Sequence, residues 1–407
     1  MRRRMICAAL AVAIGPGSAG AQSLMLTESD ALARLSSESP RVRAIETAIE
    51  MARADVLVAG RTPNPRLTID RESVAGVTEY LTMVAQPLPV TGRRGLEVES
   101  AEASVAAISN RVSDDRRRLE ADLRLTFADL LSAQVREREL TATGDRLKNL
   151  ADVLAQREAA GDTAGFDRLR AQRELLDVET DLALAATDRA RAQAALASFL
   201  ANVSDPAQLV AVGGPSARPD LPPLAALFEQ ADATRGEYLA LLKEVEAANF
   251  AAQAAQRQKF PDPEIVAGTK SSTIAGGNLG SVFSVHATLP LFDYGQPERA
   301  RADARAVRAQ AQAAAFRLTL RGQITALRVS VVERRRAAAR YRDQAVSSAD
   351  EIERIAQVSY DAGERGILEL LDAYRIGSAS RTRQALLDTA VRQAEIELAF
   401  LSGWEIP

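Results

Sequence analysis

The sequence predicts a mainly α-helical protein with a small β part, in which long coiled-coil-like helices carry a few short strands. Of its 407 residues, 47% are hydrophobic but only 4% are aromatic, and such a composition favours helices over a β-sandwich. Two long segments, 95–161 and 297–363, contain no internal proline and would each form a helix on the order of 100 Å long. Helices of that length are typical of coiled coils rather than of ordinary globular cores.

The composition also excludes several classes of protein. The formal net charge of −3 lacks the basic excess of a nucleic-acid-binding protein. One cysteine and one histidine are too few for a zinc, haem or iron–sulfur site. No Ser-His-Asp set, phosphate-binding loop or pair of catalytic carboxylates stands out. We therefore predict that the protein is not an enzyme and has no cofactor, no metal site and no nucleic-acid partner.

Residues 1–21 have the pattern of a secretory signal peptide. Arginines at 2–4 precede an apolar segment at 5–14, and Ala19-Gly20-Ala21 supplies a cleavage site of small residues. Cleavage would remove Cys7, so the exported chain would be held together by packing alone. Because no later segment offers about 18 consecutive apolar residues, this chain could enter a membrane only as β-strands.

Three short motifs recur in the same order, roughly 200 positions later, and indicate an internal repeat. The three pairs are Pro63-Asn64-Pro65 with Pro261-Asp262-Pro263, Gln86-Pro87-Leu88 with Leu289-Pro290-Leu291, and Ala160-Gly161-Asp162 with Ala362-Gly363-Glu364. Prolines and glycines cluster between the two halves, as in a linker. The predicted organisation is a signal peptide at 1–21, a first structural repeat at 22–203, a linker at 204–222 and a second structural repeat at 223–407.

Each repeat predicts the same series of elements. A helix, at 27–60 or 223–258, ends at the Pro-Asn-Pro or Pro-Asp-Pro motif because proline cannot continue the helical hydrogen bonds. Two strands follow, at 66–73 and 79–86 in the first repeat and at 264–272 and 281–289 in the second. A long helix then runs to Gly161 or Gly363, and a second helix returns, at 167–201 or 367–403.

The strands have the length that a tilted strand needs to cross a membrane, about 9–11 residues. Four strands cannot close a barrel, and an open sheet edge is not tolerated in lipid, so other copies of the chain would have to complete the wall. The alternative is a soluble periplasmic coiled-coil scaffold or adaptor, in which the strand pairs would pack on a soluble domain.

With these motifs, nearly the whole mature chain resembles the TolC family of outer-membrane efflux proteins. The resemblance rests on the two halves, the paired proline motifs and a motif near the second long turn. That motif comprises Tyr360-Asp361-Ala362-Gly363-Glu364-Arg365 and Leu368-Glu369-Leu370-Leu371-Asp372-Ala373, with a weaker copy at 160–162 and 166–169. The segment 86–94 is similar to the heavy-metal efflux branch of the family.

The resemblance implies a homotrimer whose twelve strands, four from each copy, close one β-barrel in the outer membrane of a Gram-negative bacterium. It also implies a helical periplasmic tunnel that docks on an adaptor protein (a membrane fusion protein) and an inner-membrane pump of the RND type. Such a trimeric channel would passively conduct drugs, metal cations or other small molecules from the pump to the outside.

The resemblance also assigns candidate site residues. The pore constriction would contain Asp167, Tyr360, Arg365, Glu369 and Asp372, and the adaptor-contacting tips would contain Ala160, Gly161, Asp162, Ala362, Gly363 and Glu364. Residues 369 and 372 are three apart, so both carboxylates face one side of a helix, and rings of carboxylates select cations. The alternative is an ordinary solvated helix face, which we also expect for the arginine runs at 116–118 and 334–336. We expect His286 to face the lumen as a polar strand residue.

Overall fold

A computed structural model describes residues 23–35, 39–161, 165–201, 203–213 and 219–405. The predicted signal peptide at 1–21, Asp162 of the predicted tips and part of the predicted linker lie outside the described residues. The described chain is mainly helical, as predicted, and carries a four-stranded sheet and a small two-stranded sheet.

The first half begins with a short strand and two helices and continues through a strand pair into two long helices. Its elements are β1 (Leu24–Leu26), α1 (Glu28–Ala33), α2 (Pro40–Gly60), β2 (Arg66–Val74), β3 (Val77–Pro87), α3 (Arg93–Ala159), α4 (Gly165–Ala197) and β4 (Leu209–Ala211). Helix α3 has 67 residues and is therefore roughly 100 Å long. It continues without a break through Gly144.

The second half repeats this order with one irregularity. Its elements are α5 (Leu224–Thr234), α6 (Gly236–Arg257), β5 (Glu264–Ser272), β6 (Asn278–His286), α7 (Gln296–Tyr341), α8 (Ser347–Asp361) and α9 (Ile367–Ser402). A π-helical segment, Arg342–Val346, joins α7 to α8, so the predicted single helix at 297–363 contains a local widening of the helical turn.

The predicted first helix of each half is broken in two. The side chain of Thr27 caps α1, and α2 starts again at Pro40, whose fixed φ suits the first position of a helix. In the second half, Arg235 has an extended conformation and separates α5 from α6. Its guanidinium and the Gly236 backbone N–H both bind the buried carboxylate of Asp114 on α3. Burial raises the pKa of Asp114, although Arg235 opposes that shift.

The larger sheet is antiparallel with strand order β2-β3-β5-β6. Strand β6 ends at His286 rather than at the predicted 289, because its partner β5 begins only at Glu264, after the Pro-Asp-Pro motif. A two-residue turn at Ala75-Gly76 joins β2 to β3. The parallel pair β1–β4 was not predicted, since three-residue strands carry too little pattern to detect.

Several separate clusters of buried side chains hold the helices together. One cluster surrounds Leu123, Phe127 and Leu130 of α3 and includes residues of β1 and β4. Another joins Leu227 of α5 to Ile324 of α7 and Leu398 of α9. Alanine fills many of the remaining buried positions on the long helices, which allows their backbones to approach closely. Within the described ranges, no helix combines the length and the apolar character needed to cross a membrane.

Candidate channel tip and membrane face

The long helices of each half reverse direction at two tight turns, which we call the tip turns: Ala160-Gly161 and Ala362-Gly363. Gly161 and Gly363 have φ values of 80° and 71°, a left-handed conformation that glycine adopts without steric cost. After α8, the N–H of Gly363 donates to Tyr360 O and the N–H of Glu364 donates to Ser359 O. This is a Schellman motif, so these glycines terminate helices as their positions predicted.

Helix α9 presents the two candidate constriction acids on one face. Glu369 and Asp372 are both exposed, while Leu370 and Leu371 are buried on the other side of the helix. Glu369 lies in the first turn of α9, where a negative charge is favourable beside the helix N-terminus. Asp372 is not isolated, because Arg375 Nη2 lies 2.5 Å from its Oδ1.

The structure brings Tyr360 of α8 close to the first-half tip. The Arg157 guanidinium lies 6.0 Å from the centre of its ring. Burial raises the pKa of Tyr360; Arg157 opposes this rise, whereas the carboxylates of Asp167 and Asp361 add to it. The Asp167 carboxylate is therefore close enough to Tyr360 in the same chain to act on its hydroxyl through charge. Arg365 is exposed and has no ion-pair partner among the residues that the structure describes.

A charged network that was not predicted from the sequence ties α8 to α3 and α9. Glu353 of α8 is buried and pairs with Arg146 of α3 and, at 3.0 Å, with Arg381 of α9. Arg381 also binds Glu139 and Asp350, each at 2.8 Å. The partners lie up to 242 residues apart, so local spacing alone could not have revealed them.

A second contact holds α8 against α9 near the tip. The Tyr374 hydroxyl donates to the side-chain oxygen of Gln357, and the Gln357 amide donates to Asp361 at 3.0 Å. Leu147 and Leu154 of α3 pack in the same region. The tip of a single chain is therefore a packed unit of α3, α4, α8 and α9.

The register of the four-stranded sheet sorts its side chains onto two different faces, because directly opposed residues share a face. The first, which we call the apolar face, carries Leu67, Ile69, Tyr80, Val84, Ile265, Phe283, Val285 and Leu279. The second, which we call the charged face, carries Arg66, Asp70, Glu72, Glu79, Glu264 and Lys270. Within these four strands, Arg71 is the one charged residue of the apolar face, and its guanidinium lies 5.8 Å from the centre of the Tyr80 ring.

The two faces differ in exposure and in the partners of their side chains. On the apolar face, Leu279 and Phe283 are 77% and 73% exposed, although a water-soluble monomer rarely leaves such a patch uncovered. On the charged face, Lys270 pairs with Glu79 at 2.6 Å and Arg66 pairs with Glu264 at 2.8 Å. One face therefore suits lipid and the other suits water.

His286 lies on the charged face, directly opposite Glu264. Its ring Nε2 lies 3.2 Å from the Ser284 hydroxyl. In the part of the chain that the structure describes, no three His, Cys, Asp or Glu side chains come close enough together to hold a metal ion.

The structure corrects the prediction made for the two arginine runs. The prediction that 334–336 is a solvated face is wrong at Arg335, whose Nε lies 2.7 Å from the carboxylate of Glu395, a side chain that is only 3% exposed. In the other run, Arg118 binds Glu397 of α9 at 2.9 Å, and Arg117 donates to Thr234 O. Both runs therefore contribute contacts between elements far apart in the sequence.

Comparison with known proteins agrees with this architecture. The profile of the family described as "Outer membrane efflux protein" matches residues 227–404. The cobalt-zinc-cadmium resistance protein CzcC of Cupriavidus metallidurans is 25% identical over 360 residues, which cover 88% of this chain and 85% of CzcC. The matched profile covers the second half of the chain, and CzcC is similar to nearly the whole of it.

Solved structures show that this chain shares its fold with other membrane proteins. A membrane protein from Pseudomonas aeruginosa matches with a TM-score of 0.77 at 21% identity, covering 92% of this chain and 93% of that one. The CmeC outer membrane channel of Campylobacter jejuni matches with a TM-score of 0.79 at 13% identity, covering 92% of this chain and 85% of that one.

Proposed function

We propose that this protein is a homotrimeric channel that passively conducts small solutes across the outer membrane of a Gram-negative bacterium. One observation carries the proposal: a four-stranded sheet with membrane-length strands, an apolar face and two open edges lies at one end of long paired helices. Closing those edges with two further copies would give twelve strands, which meets the requirement that lipid-exposed sheets have no free edge.

The helical end of the chain would then form a periplasmic tunnel. We propose that the tip turns, with Asp162 and Glu364 beside them, contact a periplasmic adaptor protein that links the channel to an inner-membrane pump of the RND type. The left-handed glycines support this, because a Cβ built at Gly161 or Gly363 would meet no atom of the described residues within 4 Å. The surface around each turn is therefore open to a partner.

We further propose that Asp167, Tyr360, Arg365, Glu369 and Asp372 form the narrowest part of the tunnel. The shared exposed face of Glu369 and Asp372, together with the electrostatic effect of Asp167 on Tyr360, supports this assignment. In three copies, these acids would encircle the axis and favour cations over anions.

Metal cations are the cargo class that we propose. The name of the relative CzcC refers to cobalt, zinc and cadmium resistance, and the segment 86–94 is similar to the heavy-metal branch. Selection among metals would rest with the pump or adaptor, since the charged network at the tip is occupied by arginines rather than arranged as a metal site.

The rival function is a soluble periplasmic scaffold. It would require the apolar face of the sheet to be covered by protein, but among the described residues that face is not packed against any helix. The exposed apolar side chains therefore favour the channel.

Fractionation and bilayer recordings test the proposal. We expect the protein to sediment with outer membranes, to run as a heat-sensitive trimer in detergent gels, and to give discrete conductance steps in planar lipid bilayers. A water-soluble monomer that gives no conductance would contradict the channel and favour the scaffold.

A further inference from the structure

An exposed charged stripe runs along the first turns of α9, beyond the two predicted constriction acids. Glu369, Asp372 and Arg375 follow one another at intervals of three residues and are all exposed. Residues at this spacing are neighbours on a helix surface. Arg375 therefore stands beside Asp372, about 120° around the helix from Glu369.

Arg375 and Asp372 form a close ion pair in which Nη2 lies 2.5 Å from Oδ1, and the side chains are 68% and 51% exposed. An exposed pair of this kind contributes little to stability. The pair still changes the local electric field. A guanidinium beside a carboxylate offsets the negative charge that a passing ion experiences. Glu369, by contrast, has no ion-pair partner within the described ranges.

We infer that Arg375 sets the charge selectivity of the tip by neutralising the Asp372 ring. This inference rests on the proposed function, since it requires the exposed face of α9 to line the pore. In a trimer, the two acids at 369 and 372 would otherwise form two rings of carboxylates. Arg375 leaves the Glu369 ring as the main source of negative field, so the tip admits cations with a moderate rather than a strong preference.

Arg375 has a second set of acidic neighbours, which the test must separate from this role. It lies at the rim of the cleft between α4 and α9, which Glu174 and Asp177 also line. Asp177 already pairs with Arg173 on its own helix. If Arg375 served instead to attract α4 to α9, its removal would weaken the tip without changing which ions pass.

The test is the reversal potential of the full-length channel in planar bilayers under a KCl gradient. We expect Arg375→Gln to raise the K⁺/Cl⁻ permeability ratio roughly twofold or more, and Asp372→Asn to lower it by a similar factor. The charge-swapped double variant, Asp372→Arg with Arg375→Asp, should return to the wild-type ratio because the net charge of the pair is restored. Block by Mg²⁺ should be stronger in Arg375→Gln than in the wild type.

A matched control breaks a similar exposed ion pair on another helix. Arg336 and Glu333 on α7 are also three residues apart, with Nη1 and Oε1 3.0 Å apart and side chains 71% and 60% exposed. The neighbouring Arg334 donates to Ala390 O, which lies about 27 Å along α9 from Asp372 at the rise of an α-helix. Arg336→Gln should therefore leave the permeability ratio unchanged.

The outcomes distinguish this inference from the channel proposal. If the wild type conducts but Arg375→Gln has the wild-type permeability ratio, or if Arg336→Gln shifts the ratio equally, the role of Arg375 is overturned and the channel stands. If Arg375→Gln lowers only the thermal stability of the trimer, Arg375 is a contact between α4 and α9. If the wild type never conducts, the proposed function fails and this inference fails with it.

Discussion

At the scale of single residues, the break between α5 and α6 shows how tightly the two halves are fitted together. Gly236 approaches α3 so closely that a Cβ built on it would lie 2.8 Å from Asp114 Cβ and closer still to Asn110 O. Beside it, the Arg235 guanidinium lies 4.0 Å from the centre of the Phe400 ring on α9. Three elements therefore meet at one backbone position where only glycine fits.

We predict that Gly236→Ala destabilises the protein by about 1–3 kcal/mol, because the added methyl group must push α6 away from α3. The matched control is Gly322→Ala in the interior of α7, where a Cβ would meet no atom of the described part of the chain within 4 Å. That change should stabilise the protein by about 0.5–1 kcal/mol, since alanine favours helix over glycine. Denaturation of the purified protein in detergent measures both; equal effects of the two variants would contradict the close packing at Gly236.

Single residues also limited what the sequence could predict. The tip glycines and the paired proline motifs were identified because backbone constraints leave a local mark on the sequence. Arg235 and Arg335 have no such local signature, since the sequence does not distinguish an arginine bound to a buried carboxylate from an arginine exposed to water. Their roles depend on partners more than 50 residues away.

At the scale of elements, α8 is held by charge as well as by apolar packing. It follows the π-helical segment and carries a buried Glu353 that binds Arg146 and Arg381 on two other helices. It also carries an exposed Glu351 whose one ion-pair partner among the described residues is Arg354, three residues away on the same helix, at 2.6 Å. The two glutamates therefore form a natural comparison between a buried and an exposed ion pair.

We predict that Glu353→Gln lowers the free energy of local unfolding of α8 by about 2 kcal/mol, because two guanidinium groups lose the buried negative charge that they share. The matched control, Glu351→Gln, should change stability by less than about 0.5 kcal/mol. Hydrogen–deuterium exchange across 347–361 reports the difference, with faster exchange expected only for Glu353→Gln. Similar exchange in the two variants would show that apolar packing alone holds the tip.

Element by element, the predictable part of the fold was the part with long periodic patterns. The strands at 66–74 and 264–272 and the helices that run to the tip turns agree with the predicted ranges within a few residues. The breaks at Pro40 and Arg235, the strand pair β1–β4 and the π-helical segment were missed, because each is decided by tertiary contacts or by very few residues. The constriction residues were assigned by resemblance, and their role in the pore stays a prediction.

At the scale of the whole molecule, the proposed channel wall depends on the open edges of one small sheet. Strands β2 and β6 stand at opposite edges, separated by three strand spacings, or roughly 14 Å. Within the described residues, neither has a partner on its outer side. A sheet with an apolar face and two open edges cannot remain stable in lipid, so the proposed channel would require further copies of this chain.

Disulfide cross-linking between these edges tests that claim most directly. Cys7 is the one cysteine of the sequence and lies in the predicted signal peptide, so Thr68→Cys in β2 can be combined in turn with single cysteines along 278–286. The two edges of one chain are too far apart for a disulfide, whose Cα atoms lie within about 7 Å. We predict that at least one pair gives a covalent species of three chains on a denaturing gel without reductant. A chain that stays monomeric for every pair, while inserted in membranes, would contradict the shared wall.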